Sequence, residues 1–200
     1  MEQEITELFL YSPKLKFGEI EKKLDVRSNK LAYHLKKLIR KSILTKNRDA
    51  YALAESAEPL IPYISEKKAA LPVILIHIGN EKEALLVKRT KRPYQNLLSL
   101  PAGRLLIGET ISQATQRIMK EKYNINCKLS CLHSLSLEHV KHGNTLLHSF
   151  LLIFVSAATK EKIPFVSIRA SKKQCISSDY LLLTRHLKKT MKIQKIISGT

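Results

Sequence analysis

Apolar residues change their spacing once along the chain, close to residue 64. Before this point they recur every three or four residues, a pattern that predicts short amphipathic helices with charged outer faces. From Leu71 onward they form short continuous runs such as LPVILIHI, which are typical of buried strands. A polar segment with three prolines separates the two patterns. The sequence therefore predicts two domains, residues 1–64 and 73–200, joined by a linker over residues 65–72.

The first domain is predicted to contain three helices followed by a hairpin. EITELFLYS and FGEIEKKL each place apolar residues on one face. The third helix repeats leucine at Leu31, Leu35 and Leu38, which leaves a basic side exposed. Two short strand candidates, residues 42–45 and 50–53, flank a charged turn. Three helices and then a basic hairpin are the element order of a winged helix-turn-helix.

The segments SNKLAYHLKKL and ILTKNRDAYAL resemble winged helix-turn-helix domains of the arsenical-resistance-repressor type, over residues 2–64. This resemblance implies that the third helix enters the major groove of double-stranded DNA and that the hairpin, or wing, touches the backbone or minor groove. Carried over by position, it places nine residues against DNA: Arg27, Ser28, Asn29, Lys30, Tyr33, His34, Lys37, Lys46 and Arg48. Basic side chains would neutralise phosphates, and Asn29 is the candidate for reading a base edge. A solvated helix face on a protein-contacting module is the alternative.

The second domain is predicted to contain strands, a loop–helix segment, further strands and a final basic helix. The loop–helix sequence is GRLLIGETISQATQRIMKEKYNI, which resembles the Nudix motif G-x5-E-x7-R-E-U-x-E-E-x-G-U, with U a bulky aliphatic residue. Six residues fall in register with this motif: Gly103, Glu109, Arg117, Met119, Glu121 and Ile125. The resemblance covers residues 71–190 and implies a Nudix-like α/β/α sandwich with a mixed sheet. The fold class of the whole chain is predicted to be α+β.

Three glutamates of the motif bind magnesium in Nudix hydrolases, where the ion neutralises a diphosphate and activates water. In this sequence the three positions hold Ile118, Glu121 and Lys122. Loss of two direct ligands should weaken magnesium binding at least ~10²-fold, since changes around a metal site already cost about 10–100-fold. The sequence leaves enzymatic activity open but favours its absence, with no resident cofactor. Gly103, Glu109, Arg117 and Glu121 then serve as a scaffold for the loop–helix geometry.

Basic residues close to the motif offer another way to hold a phosphorylated ligand. Lys122 brings a positive charge to a position where the motif has a carboxylate. Arg89, Arg92 and Arg104 lie on nearby loops or strand ends, and Arg89 and Arg104 complete the predicted ligand-binding set. The alternative is a divergent hydrolase that uses Mg²⁺ or Mn²⁺ with unusual carboxylates: Glu121, Glu109 and Glu138.

The charge of the chain points to a polyanionic partner. The 200 residues include 35 Lys and Arg against 17 Asp and Glu, a formal net charge of +18. Residues 1–65 carry a net charge of only +3, whereas residues 160–200 carry +8, so the excess lies mainly outside the predicted DNA-binding domain. Three cysteines do not make a disulfide framework, and no apolar run is long enough for a membrane span. We therefore expect a cytoplasmic protein with no membrane partner.

These patterns together predict a DNA-binding transcriptional regulator. Its non-hydrolytic Nudix-like domain would sense a nucleotide, a sugar phosphate or another phosphorylated metabolite. Because winged-helix regulators bind paired half-sites, we expect a homodimer on double-stranded DNA. The first alternative is a metal-dependent hydrolase of nucleoside diphosphate derivatives. An interaction scaffold without either activity is the second.

Overall fold

The chain folds into two compact units, Met1–Lys68 (unit 1) and Ala69–Thr200 (unit 2). The computed structural model describes residues 1–64, 69–194 and 196. The first four residues of the predicted linker lie outside the described residues. Its last two residues, Leu71 and Pro72, already belong to the first strand of unit 2. The first strand of unit 2 therefore begins at Leu71, where the apolar runs of the sequence begin.

Unit 1 contains three helices and a hairpin in the predicted order. Its elements are α1 (Glu2–Tyr11), β1 (Leu15–Lys16), α2 (Phe17–Leu24), α3 (Ser28–Arg40), β2 (Leu44–Asn47), β3 (Ala50–Leu53) and a 3-10 helix over Glu55–Tyr63. The three strands form an antiparallel sheet in the order β1–β3–β2. The first hairpin strand starts two residues later than predicted, because Ser42 adopts a φ of 55° and ends the turn that follows α3.

The core of unit 1 joins the three helices to the hairpin. Leu31, Leu35 and Leu38 of α3 are at most 1% exposed. They pack with Ile5 of α1 and Ile20 of α2, both fully buried. The leucine stripe that predicts α3 is therefore also the surface that fixes it.

Unit 2 is built around a four-stranded mixed sheet. Its elements are β4 (Leu71–His77), β5 (Glu83–Ala84), β6 (Val87–Lys88), β7 (Leu98–Ser99), β8 (Ala102–Arg104), α4 (Ile111–Tyr123), β9 (Lys128–His142), β10 (Thr145–Ala158), β11 (Val166–Ser167), α5 (Ile168–Ser171) and α6 (Ser177–Arg185). The strand order is β8–β4–β10–β9, with β4 parallel to β10 and the other neighbours antiparallel. Within the described residues, no helix is both long and apolar enough to cross a membrane.

Helices cover both faces of this sheet because side chains alternate along each strand. Ile74 and Ile76 of β4 face one core cluster, which includes Ile118 of α4. Leu75 faces the other cluster, which includes Leu182 of α6. The predicted three-layer arrangement and mixed sheet are confirmed.

The final helix differs from the prediction. The sequence predicts a basic helix at the end of the chain, but α6 carries a run of three leucines and has Arg185 as its basic residue. Lys188, Lys189 and Lys192 follow the helix instead of lying on it. The reason is that Leu182 and Leu183 are buried, at 1% and 3% exposure, so that α6 packs against the core of unit 2.

Strand β8 approaches α4 closely where Gly103 faces Ile118. A Cβ atom added to Gly103 would lie 2.6 Å from Ile118 Cγ1 and 2.8 Å from Ile118 Cδ1. Ile118 is fully buried, so its side chain has little room to move. Glycine is required at residue 103 because there is no space for a Cβ atom. Its φ is not in the left-handed region, so backbone conformation is not the reason.

We expect Gly103→Ala to lower the free energy of unfolding of unit 2 by roughly 1–3 kcal/mol, the range for overpacking a core. Urea unfolding of wild type and variant measures this difference. The same substitution should cost less in an Ile118→Ala background, where the clashing atoms are gone. An equal cost in both backgrounds would contradict the packing explanation.

Candidate functional site

The helix α4 has well-formed ends that fix its position. At the start, Thr110 Oγ1 accepts the N–H of Gln113 at 3.2 Å, and Gln113 Oε1 accepts the N–H of Thr110 at 2.9 Å. At the end, Asn124 takes a left-handed conformation with a φ of 54°. Asparagine therefore fills the role that the motif gives to glycine.

A salt bridge ties the loop before α4 to the helix itself. Arg117 donates from Nε to one carboxylate oxygen of Glu109 and from Nη2 to the other, the second contact at 2.9 Å. Its Nη2 also donates to the carbonyl of Arg104 at 3.0 Å. Glu109 also accepts the N–H of Leu106 at 3.0 Å. The Arg117 guanidinium holds the pKa of Glu109 below its ordinary value. These contacts suit the scaffold role expected for both residues, and they engage both carboxylate oxygens of Glu109.

The three positions that bind metal in the motif diverge in this structure. Ile118 is fully buried in the core, and Glu121 is 63% exposed with its carboxylate 3.5 Å from Arg117. Lys122 donates from Nζ to the carbonyl of Ala102 at 2.6 Å. No cluster of three or more His, Cys, Asp or Glu side chains suited to a metal exists among the described residues. A hydrocarbon and a cation are not magnesium ligands, so this set of residues does not fit the ion.

A cleft of about 380 Å³ lies beside this helix. All three predicted ligand-binding residues, Arg89, Arg104 and Lys122, line it. Lys91 and Arg92 add two further positive charges. Arg92 is one of the basic residues that the sequence places near the motif, whereas Lys91 was missed, although it belongs to the basic run TKRP between two strands. The structure therefore gathers five basic residues around one opening.

Lys122 lies at the centre of this positive charge. Burial and then the charges of Arg117, Arg89, Lys91 and Arg104 lower the pKa of its ammonium group from the ordinary value. Repulsion of this kind is relieved when an anion binds between the cations. The cleft is therefore electrostatically suited to a phosphate group.

The lining of the cleft also includes apolar and acidic residues. Val73, Leu75 and Phe150 are among its apolar residues. Glu138, proposed from the sequence as a base or ligand, lines it and accepts the hydroxyl of Tyr94 at 3.0 Å. Asp179, an acidic residue in the first turn of α6, also lines it. The sequence signal for this residue was an acidic side chain next to the apolar run of α6.

Asp179 is a buried carboxyl group that lines the cleft. It is 3% exposed and accepts the N–H of Leu100 at 2.8 Å. Burial raises its pKa to about 7, although the hydrogen bond from Leu100 opposes the shift. Since the folded value lies above the ordinary 3.8, the neutral form stabilises the fold at low pH, and this contribution is lost as pH rises towards 7.

The predicted DNA contacts in unit 1 fall into two groups. Seven are exposed: Arg27, Ser28, Asn29, Lys30, Tyr33, Lys46 and Arg48. His34 and Lys37 are instead half-buried beside Glu2 of α1, and Lys37 Nζ lies 2.6 Å from its carboxylate. The sequence pattern did not separate these groups, because the partner of Lys37 is 35 residues away. The exposed residues of α3 also include Lys36 and Arg40, which are outside the nine predicted contacts and lie on the side that carries Asn29 and Tyr33.

We expect Asp179→Asn to stabilise unit 2 more at pH 8 than at pH 5. Asparagine accepts the same N–H but carries no charge, so the advantage should grow by about 2–3 kcal/mol between these pH values. Urea unfolding at both pH values measures the change. Glu81→Gln, which alters an exposed acid, is the control and should show no such dependence. An advantage that is constant with pH would contradict a buried titrating group.

Comparison with known proteins agrees with the fold and the motif. Residues 68–175, more than half of the chain, match the family model of the NUDIX domain. The chain is 35% identical over 81 residues to the human protein called 8-oxo-dGDP phosphatase NUDT18, a match that covers 40% of this chain and 25% of that protein. The mouse protein of the same name is 33% identical over 73 residues, covering 36% of this chain and 23% of that protein. The chain thus spans about a quarter of the length of these relatives.

A solved structure supports the same assignment at the level of the fold. The NUDIX hydrolase from Nitrosomonas europaea superposes with a TM-score of 0.50 and 20% identity, covering 66% of this chain and all of that one. At this identity the likeness concerns the fold. Together with the family match over residues 68–175, it shows that this chain belongs to the Nudix family.

Proposed function

We propose that the cleft of unit 2 binds a nucleoside diphosphate or a related phosphorylated metabolite without a metal ion, and that unit 1 binds double-stranded DNA. The observation that carries the first half is the five basic residues around a cleft whose motif positions hold Ile118 and Lys122. Ligand binding in unit 2 would then change the DNA affinity of unit 1, in a homodimeric transcriptional regulator.

The hydrogen-bonding capacity of Lys122 supports direct binding of phosphate. Its ammonium group has three donors, and the carbonyl of Ala102 takes one of them. Two donors remain for a ligand in the cleft. Arg89 and Arg104 line the same cleft and offer guanidinium groups, which match phosphate oxygens in pairs. The apolar residues of the cleft, such as Val73 and Phe150, suit the nucleoside or other organic part of such a ligand.

The second candidate function is hydrolysis of nucleoside diphosphate derivatives, and the family comparisons favour it over a regulator. The curated relatives are named for phosphatase activity on 8-oxo-dGDP, and the solved structure is named a hydrolase. The geometry of the motif argues the other way. Of the three carboxylates proposed for this role, Glu109 is paired with Arg117 and Glu138 with Tyr94, while Glu121 points to the surface.

The exposed side of α3 supports the proposal for unit 1. Asn29, Tyr33 and two basic residues lie on it, and the hairpin turn exposes Arg48. A polar and basic helix face beside a basic hairpin fits the major groove and the adjacent backbone of a DNA duplex. Unit 1 carries a smaller share of the net charge than unit 2, so its phosphate contacts are expected to be few.

We expect ADP, GDP and inorganic pyrophosphate to bind in the presence of EDTA, because the cleft supplies its own positive charge. Lys122→Gln should weaken binding about 10-fold or more, the loss of a charge-assisted contact. Isothermal titration calorimetry measures both effects. Lys120→Gln, a matched change on the same helix outside the cleft, should leave binding unchanged. Binding that requires Mg²⁺ would contradict the proposal.

Turnover separates the regulator from the hydrolase. With Mg²⁺ or Mn²⁺ and a panel of nucleoside diphosphates and triphosphates, we expect no phosphate release above that of Glu121→Gln. The reason is that Ile118 and Lys122 cannot supply the two missing oxygen ligands. Metal-dependent release by the unsubstituted protein that Glu121→Gln abolishes would establish the hydrolase instead.

A further inference from the structure

Helix α3 of unit 1 presents two polar stripes with different surroundings. Positions spaced by four, three and four residues share a side of a helix. The first stripe, called here the guarded stripe, consists of Lys30, His34, Lys37 and Lys41. The second, called the open stripe, consists of Asn29, Tyr33, Lys36 and Arg40. The buried leucines of the unit 1 core occupy the remaining side.

The guarded stripe faces the acidic start of α1. Glu2 Oε1 lies 2.6 Å from Lys37 Nζ and 3.7 Å from His34 Nδ1, and Glu2 Oε2 lies 2.6 Å from Lys41 Nζ. Both lysines hold the pKa of Glu2 down to about 2, so the carboxylate stays ionised throughout the neutral range. The N-terminal ammonium group is the main partner of Glu4, at 2.9 Å, and Lys30 makes a smaller electrostatic contribution to the lowered pKa of Glu4. Lys37 and Lys41 are therefore both engaged by one carboxylate within unit 1.

The open stripe has no such partner. Among the residues that the structure describes, neither Lys36 nor Arg40 forms an ion pair, and both are exposed. Tyr33 is 62% exposed, and its ring lies edge-on to His34 with the centroids 5.2 Å apart. This side offers an amide, an aromatic hydroxyl and two free positive charges in one line.

We propose that the open stripe is the surface of α3 that contacts DNA, and that Glu2 withholds Lys37 and Lys41 from its phosphates. The proposal rests on DNA binding by unit 1 and names the residues that carry it. Lys36 and Arg40 bind phosphates, while Asn29 and Tyr33 face base edges, where an asparagine amide can pair with adenine. Glu2 is a positioning residue, since it acts through the two lysines.

The salt dependence of duplex binding tests this assignment. Log K falls as log salt rises, and each phosphate contact adds about 0.9 to the steepness of this fall, which is called the slope below. The full-length chain is titrated with a fluorescent DNA duplex at several salt concentrations. Lys36→Ala and Arg40→Ala should each lower the slope by about 0.9. Lys37→Ala and Lys41→Ala should leave it unchanged. Tyr33→Ala should weaken binding without altering the slope.

Release of the two lysines is the second arm of the test. Glu2→Gln should raise the slope by up to about 2 and tighten binding, since Lys37 and Lys41 become free to contact phosphates. Lys37→Ala should then lower the slope in the Glu2→Gln background. Glu7→Gln makes the same charge change on the same helix, but Glu7 accepts a hydrogen bond from Gln3 within α1, so the slope should hardly change.

The outcomes separate the inference from the function on which it rests. If unsubstituted protein does not bind the duplex at low salt, DNA binding itself is overturned. If it binds but Lys37→Ala lowers the slope as much as Lys36→Ala, the assignment of the open stripe is wrong. An unchanged slope for Glu2→Gln overturns the role of Glu2. Circular dichroism and urea unfolding confirm that each variant is folded before its slope is compared.

Discussion

The contact between Ile118 and the backbone of Gly103 is the constraint on which unit 2 depends most. It brings helix α4 against strand β8 at a distance that leaves no room for a Cβ atom at residue 103. The same side chain belongs to the core cluster that includes Ile74 and Ile76 of β4. Burial of an isoleucine side chain contributes about 1.5–3 kcal/mol. A residue that serves the core in this way cannot also offer an oxygen to a metal ion.

The electrostatics of the cleft follow from the replacement of two glutamates of the motif by Ile118 and Lys122. In the Nudix motif, a metal ion mediates between carboxylates on the helix and the negative phosphates of the ligand. Here Lys122 brings its own positive charge to the helix, and the arginines and Lys91 surround the same opening. The salt bridge between Arg117 and Glu109 ties the loop to the helix through protein groups. The scaffold contacts of the motif are therefore kept in a chain that carries one of the three metal-binding glutamates of the motif, Glu121.

Two carboxylates of the chain show how a partner decides the function of a charged group. Glu2 of unit 1 is ionised because it lies between two lysines, and it engages both of their ammonium groups. Burial outweighs the charge of Arg89 at Asp179 of unit 2 and favours its neutral form instead. Neither role follows from residue type. Both depend on which groups the fold brings within a few ångströms.

The order of helices and strands follows directly from the sequence, because apolar spacing reflects which side of each element is buried. The motif around Gly103 likewise predicted the loop–helix segment and the loss of its metal ligands. Such patterns could not predict contacts between residues that are distant in sequence, such as Lys37 with Glu2 or Asp179 with the rest of the cleft. They also did not show that the basic residues near the end of the chain follow α6. Local periodicity records burial on one element at a time. Only packing of the whole chain determines which charges meet, because that pairing is set by distances between elements.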